Sequence, residues 1–347
     1  MNNIRVLYIS RAYGKQSGGM ERLSFEFAHA IRQNHRLNIT TIVNKTNPNA
    51  RLISARIRST LFTITVMTKA LRAAKQSDII HLGDPVLSLV GWLTKKLYKK
   101  PVVMTVHGLD VSYPNPIYQT YLKVFARQFD LYLPISQHAK TVLQNLHPTG
   151  KVEVVNPGLS DETYNPHTTR QQLVNLLEGQ IEITRDTKIL FTLGRLVPRK
   201  GHNWFIEQVL PQLPVEYKYI IAGDGPERHN IEATINKHNL SKRVILLGKV
   251  DQSTKSVLLN AADAFIQPNI PTTGDAEGFG LVLLEAALCN LPVLASNIEG
   301  ISDAIEHGEN GHLLPPRIPD AWVKAIKQTP PIKNAREYTL RKFSWPQ

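Results

Sequence analysis

Twice along this chain, short runs of aliphatic residues alternate with segments of helical period, and a polar stretch separates the two series. The first series begins with a strand pattern at Ile4–Ile9. A helix pattern follows at Gly19–Gln33, with Leu23, Phe27, Ala30 and Ile31 on one face. Strand patterns recur at Leu37–Val43, Ser77–Leu82, Pro101–Val106, Asp130–Ile135 and Lys151–Val155. Helix patterns between them fall at Thr60–Lys75, Val86–Tyr98, Ile117–Gln128 and Gln137–Leu146. The second series runs from a strand at Lys188–Leu193 through Tyr217–Ala222, Val244–Leu247 and Ala264–Gln267 to Pro292–Ala295, again with helix patterns between. A β-α alternation of this kind predicts parallel sheets covered on both faces. The fold class is therefore α/β, with two doubly wound, Rossmann-like domains. Ligands in such sheets sit beyond the carboxyl ends of the strands, so a cleft between facing domains is the expected site. The domains read as 1–165, a connection over 166–187, 188–330, and a tail over 331–347 expected to pack back toward the first domain.

Charge separates the two series. Residues 1–160 carry 21 Lys+Arg against 7 Asp+Glu, a net of +14, while residues 161–347 carry 20 against 21, a net of −1. That asymmetry predicts an anionic partner, either nucleic acid or acidic lipid headgroups, against the plainer reading of a solvated charged face. No run of apolar residues is long enough to span a bilayer. The first residues enter a strand pattern and do not read as a signal peptide. Cys289 is the only cysteine and lies in an apolar helix pattern, so it reads as an inert core thiol.

The most chemically loaded stretch is Gly274-Asp275-Ala276-Glu277-Gly278-Phe279-Gly280, followed by the all-round apolar helix pattern from Leu281 to Cys289. Glu285 stands alone inside that helix, with no cation within a turn. A carboxylate there needs a partner, either a distant side chain or a ligand. Glu277 stands at the mouth of the same helix, and a glycine turn at a helix N-terminus favours bound anions. A second charged loop, Gly194-Arg195-Leu196-Val197-Pro198-Arg199-Lys200-Gly201, follows a strand end. Its cations Arg195 and Lys200 would clamp a diphosphate and stabilise it as it leaves. His107 and Asp110 follow the strand Pro101–Val106, where a loop histidine faces a ligand or is merely polar surface, and a carboxylate can cap local backbone. Gly223-Asp224-Gly225-Pro226 reads as a packed strand-to-helix turn.

Gly194-Arg195-x-x-x-x-Lys200-Gly201, Gly223-Asp224-Gly225-Pro226 and Glu277-x7-Glu285 within Glu-Gly-Phe-Gly-Leu-x-x-x-Glu-Ala resemble the retaining GT-B glycosyltransferases of family 4, the Glu-x7-Glu element being the most specific. Gly18-Gly19-Met20-Glu21-Arg22 and Val106-His107-Gly108 are similar to the same family, so the resemblance runs over nearly the whole chain. It implies a GT-B fold whose second domain binds a nucleotide sugar and whose first binds the acceptor. Arg195 and Lys200 would then hold the donor phosphates, and Glu285 the ribose hydroxyls. Glu277 would meet the transferred sugar. Gly278, Phe279, Gly280 and Leu281 would face the sugar or diphosphate, Gly18 and Gly19 would close over the diphosphate, and Gly248, Lys249 and Val250 would meet the base. His107 would act near the transferred sugar, with Glu21, Arg22 and Asp110 on the acceptor side. The catalytic set is thus His107, Glu277, Arg195 and Lys200. The resemblance implies transfer of a hexose from GDP-mannose or a UDP-hexose to a hydroxyl with retention, in cell-envelope glycolipid or polysaccharide synthesis.

No Asp-x-Asp occurs in the sequence, in keeping with a site that uses no metal and no cofactor besides its donor. Two departures stand out. Asn156-Pro157-Gly158-Leu159-Ser160 replaces the Asn-Gly-Val-Asp common in relatives, and the sequence stops at Gln347, soon after Phe343-Ser344-Trp345. Lys95, Lys96, Lys99 and Lys100 flank Leu93, Leu97 and Tyr98, and Arg51, Arg56, Arg58, Lys69, Arg72 and Lys75 cluster earlier. An enzyme on an anionic membrane, facing the cytoplasm and taking a lipid-linked acceptor, would carry such a surface. The alternatives are a GT-B-fold UDP-sugar epimerase, which calls for acid/base carboxylates in the first domain, and a basic nucleic-acid-binding protein. The latter leaves Glu285 unexplained and lacks a recognisable binding motif, so no nucleic-acid partner is expected.

Overall fold

The computed structural model describes residues 3–14, 18–45, 66–160, 164–328 and 330–345. Arg51, Arg56, Arg58 and the first part of the Thr60–Lys75 helix lie outside them. Chain contacts divide the protein into two units, residues 1–160 with 274–279 and 345–347, and residues 161–273 with 280–344.

The first unit is a six-stranded parallel sheet in the order β2-β1-β3-β4-β5-β6. Its strands are β1 (Ile4–Tyr13), β2 (Leu37–Lys45), β3 (Ile79–Leu82), β4 (Val102–Val106), β5 (Leu131–Pro134) and β6 (Lys151–Val152). The helices between them are α1 (Gly19–Gln33), α2 (66–75), α3 (Ser88–Tyr98), α4 (Leu109–Ser112), α5 (Pro116–Phe125) and α6 (Gln137–Gln144). Leu7, Ile9, Ile80, Leu82, Val102 and Met104 form the buried centre on which the helices pack. Side-chain caps set several helix starts. Asn115 accepts from Tyr118 N ahead of Pro116, and Ser136 accepts from Ala139 N. The segment expected as one helix from Val86 opens instead as a 3-10 turn at Pro85–Leu87, because Asp84 caps Val86 N.

The second unit repeats the design in the order β12-β11-β10-β7-β8-β9. Its strands are β7 (Lys188–Leu193), β8 (Tyr217–Ala222), β9 (Val244–Gly248), β10 (Ala264–Gln267), β11 (Val293–Ser296) and β12 (His312–Leu314). Its helices are α7 (Arg170–Leu177), α8 (His202–Gln208), α9 (Arg228–Lys237), α10 (Gln252–Ala261), α11 (Leu281–Leu288), α12 (Ile301–Ala304), α13 (Pro319–Gln328) and α14 (Ala335–Phe343). Helix α7 corrects the reading of 166–187 as a bare connection. Thr169 and Gln172 form a reciprocal capping box that starts it, and Leu173 and Leu177 are fully buried. A second correction concerns the glycine turn, because residues 274–279 belong to the first unit and not to the second. The tail helix α14 packs on α11, whereas Trp345 belongs to the first unit and stacks edge-on to Phe27 at 6.0 Å.

Each unit buries a neutral histidine. His81 bonds Thr105 Oγ1 through Nε2 at 2.8 Å and packs edge-on to Tyr8 and Phe27, and burial lowers its pKa to about 3. His202 is lowered to about 3, first by burial and then by Lys200. Both folded-state values lie below that of a free histidine. The unfolded chain therefore takes up protons first, and stability present above pH ~6.5 is lost as pH falls from there toward 3. Urea unfolding between pH 7 and 4 should show stability falling by up to about 1.4 kcal/mol per pH unit for each histidine. His81→Gln should flatten part of that slope, and an unchanged slope in this variant would remove His81 from the account.

Candidate active site

In a doubly wound sheet the crevice opens where strand order reverses. In the second unit that point lies between β7 and β10. Beyond β7 the chain runs through Gly194 and an exposed Arg195 into a 3-10 turn at Pro198–Lys200. Lys200 is 5% exposed, and its Cε and Nζ come within 3.5 and 3.6 Å of where a Cβ on Gly194 would stand. The loop is fastened to the end of β10, since Ile270 N donates to Arg199 O at 2.9 Å. Gly201 has φ +67°, and a Cβ there would lie 1.9 Å from Pro268 O, so only glycine permits this seat. Below it, His202 Nδ1 bonds Tyr219 OH, which bonds Thr192 Oγ1, which donates to Ile266 O. The Gly223–Glu227 turn braces the same loop: Leu196 N donates to Asp224 O, and Glu227 N to Leu196 O. The Gly248 carbonyl accepts from Gly223 N, while Lys249 is exposed.

Glu285 is buried in α11, and the structure answers the question its sequence context raises. Lys255 Nζ reaches in from α10 to Glu285 Oε1 at 2.6 Å, with side-chain exposures of 12% and 5%. Asp251 caps α10 through Thr254 N and so sets the helix that carries this lysine. Lys255 is a residue that sequence reasoning missed, because its partner lies thirty positions away.

The first unit reverses order between β1 and β3. Its register shifts between Ser10 and Tyr13, and there Arg11 Nε pairs with Asp84 Oδ1 at 2.7 Å across the two strand ends. Asp84 is fully buried, and its Oδ2 has no hydrogen-bond partner among the described residues. Neither residue was singled out from the sequence. His107, just past β4, donates from Nε2 to Gly83 O at 2.9 Å. Asp110 does cap local backbone: both its oxygens accept from His107 N, and burial pushes its carboxyl above the usual range. The turn over 274–279 closes on this loop. A Cβ on Gly278 would stand 2.6 Å from His107 O, and Glu277 is 9% exposed in the same turn. Arg22 pairs with Glu26 at 3.7 Å within α1, and Glu21 folds back beside Gly18. Gly18 and Gly19 open α1 with no side-chain cap. A cavity of about 40 Å³ in this unit is lined by Tyr8, Phe27, Thr105, His107, Ile135 and Trp345, whose indole Nε1 is buried with no hydrogen-bond partner among the described residues.

Two parallel α/β units, each with charged groups at its switch point, define a two-domain fold of the GT-B type. The Anabaena protein HepE, solved with UDP, superposes with a TM-score of 0.75 at 20% identity over 99% of this chain and 96% of that one. Residues 17–163 match Glycosyltransferase Family 4, and residues 176–338 match Glycosyl transferases group 1. The chain is a glycosyltransferase of this group 1 and family 4 type. An uncharacterised glycosyltransferase of Methanocaldococcus jannaschii is 25% identical over 287 residues, 77% of this chain and 72% of its own. A GDP-mannose-dependent alpha-(1-6)-phosphatidylinositol monomannoside mannosyltransferase of Mycolicibacterium smegmatis is 25% identical over 273 residues, 76% of this chain and 70% of its own.

Proposed function

We propose that this glycosyltransferase moves a hexose from GDP-mannose or a UDP-hexose to a hydroxyl acceptor with retention, in the synthesis of a cell-envelope glycolipid or polysaccharide. The observation that carries the reading is Lys200, an ammonium held at the carboxyl end of β7 by a loop that admits only glycine beside it. The mycobacterial relative is named for GDP-mannose and a phosphatidylinositol acceptor, and the Anabaena structure for UDP, which supports the donor class and a lipid-linked acceptor.

In this reading the bond between the anomeric carbon and the leaving phosphate oxygen breaks, and the acceptor oxygen bonds the same face of that carbon. The acceptor proton passes to the departing phosphate oxygen. Lys200 and Arg195 neutralise the charge that develops there, and no metal is needed. Glu285 receives the ribose hydroxyls. Glu277 and His107 meet hydroxyls of the moving sugar. Gly18, Gly19, Gly278, Phe279, Gly280 and Leu281 offer backbone N–H groups to the diphosphate or sugar, and Gly248, Lys249 and Val250 meet the base. Glu21, Arg22 and Asp110 serve the acceptor side only through the loop and helix they hold in place. The protein works in the cytoplasm, at the inner face of the membrane. Among the described residues no helix is long and apolar enough to cross a bilayer, so contact would be peripheral.

The test is a panel of nucleotide sugars with product detection and assignment of the anomeric configuration. One donor should give product with the donor's configuration kept. An inverted product would sink retention, and no turnover or binding with any GDP- or UDP-sugar would sink the donor class.

A further inference from the structure

We propose that the outer face of α3 and α5 docks on an anionic lipid bilayer and presents the His107 loop to an acceptor held in it. This deepens the reading of a lipid-linked acceptor and rests on it. The two helices lie side by side and run the same way. Tyr121 OH accepts from Leu89 N at 2.9 Å and donates to Val86 O at 2.6 Å. Further along, Trp92 meets Phe125 edge-on at 5.4 Å, and Lys95 pairs with Asp130 at 2.7 Å.

These helices turn several large apolar side chains outward. Ile117 is 83% exposed and Val124 52%, two turns apart on one side of α5, and Leu97 on α3 is 61% exposed. Tyr113, just ahead of α5, is 52% exposed. Leaving such side chains in water is unfavourable, and several on one helix pair mark a surface that meets something apolar. The charge around them says what. Neither helix contains an acidic residue, and the exposed lysines are Lys96 and Lys99 on either side of Leu97 at the end of α3 and Lys123 next to Val124 in α5. Lys96 lies over the Trp92 ring at 4.4 Å, an ammonium held against an aromatic face at the edge of the patch. Exposed aliphatic and aromatic groups beside lysines, on helices without an acidic residue, fit an acidic headgroup layer over acyl chains.

The patch is also wired to the site. Tyr118 of α5 donates to Asp110 O at 2.7 Å, and Asp110 caps His107 N. Exposed Leu109 and Tyr113 flank that loop. A bilayer seated on α5 therefore meets the chain one short helix from His107.

The test is sedimentation of the full chain with vesicles of phosphatidylcholine alone and of phosphatidylcholine mixed with phosphatidylglycerol. Nucleotide binding by calorimetry is measured alongside. The wild type should bind the mixed vesicles and lose about tenfold in affinity at high salt. Ile117→Asp/Val124→Asp and, separately, Lys96→Glu/Lys99→Glu should each lower binding about tenfold or more, with nucleotide affinity unchanged. Val215→Asp, at a residue 75% exposed in the second unit, should bind vesicles like the wild type. Equal binding to both vesicle types, no binding, or full binding by the Ile117/Val124 variant overturns the proposal. Dimerisation abolished by the same variant also overturns it, and assigns the face to a second copy. Vesicle binding without nucleotide binding leaves this surface standing and removes the proposed donor class; the reverse result removes the surface alone.

Discussion

Glu285→Ala is expected to cost about 3–5 kcal/mol of stability, because it leaves the Lys255 ammonium buried without its carboxylate. The same change should weaken nucleotide binding about 10–100-fold, the worth of one or two hydrogen bonds from a charged acceptor to ribose hydroxyls. The two losses are separable. Lys255→Met/Glu285→Met replaces the pair by apolar side chains of similar volume, which is often neutral or stabilising. Urea unfolding should then return close to the wild-type midpoint while calorimetry still shows the weakened nucleotide. If the double variant regains both, Glu285 is a structural partner of Lys255 and nothing more. If it regains neither, the helix needs the ion pair to hold its shape. Lys255 would then be a positioning residue, fixing the Glu285 carboxylate in the orientation that meets the ligand.

Lys200→Met should lower kcat/KM by about 10²–10³-fold, the usual penalty for removing one preorganised charge from a developing anion. Its fold cost should be small. Gly201 keeps its left-handed turn, Ile270 N still donates to Arg199 O, and methionine is spared the desolvation that a buried ammonium bears. Thermal melting near or above the wild-type Tm, combined with steady-state rates on the best donor, checks both halves. A fall of less than about fivefold would place the ammonium away from the leaving group, whereas a collapse of Tm would make Lys200 a structural cation.

The fold was largely legible in the amino-acid order. Helix α1 and strands β7, β8 and β10 begin and end where period and turn residues place them. Strand β1 runs four residues past Ile9, through a register shift between Ser10 and Tyr13, and apolar pattern says nothing about a shift. Helix α7 carries its signal openly, as Thr169-x-x-Gln172, but a polar composition hid it. The site was legible where a motif is local, as with Arg195–Gly201 or Glu277–Glu285. It was not where partners meet only through topology. Arg11 and Asp84 stand 73 residues apart, and Lys255 and Glu285 thirty. The glycine turn and its helix read as one element because they are contiguous. Only the closeness of Gly278 to the His107 carbonyl shows that the turn belongs elsewhere.

Neither unit is a continuous piece of chain. The first borrows residues 274–279, which close on His107, and Trp345, whose ring packs on Gly158 and Phe27. On a ribosome adding about 5–20 residues per second, the first 160 residues emerge well before those pieces exist. The nascent first unit must wait, its cavity unlined by tryptophan and its histidine loop uncovered, until the second unit has been made. The amino-terminal half is thus the first to be synthesised and the last to be finished.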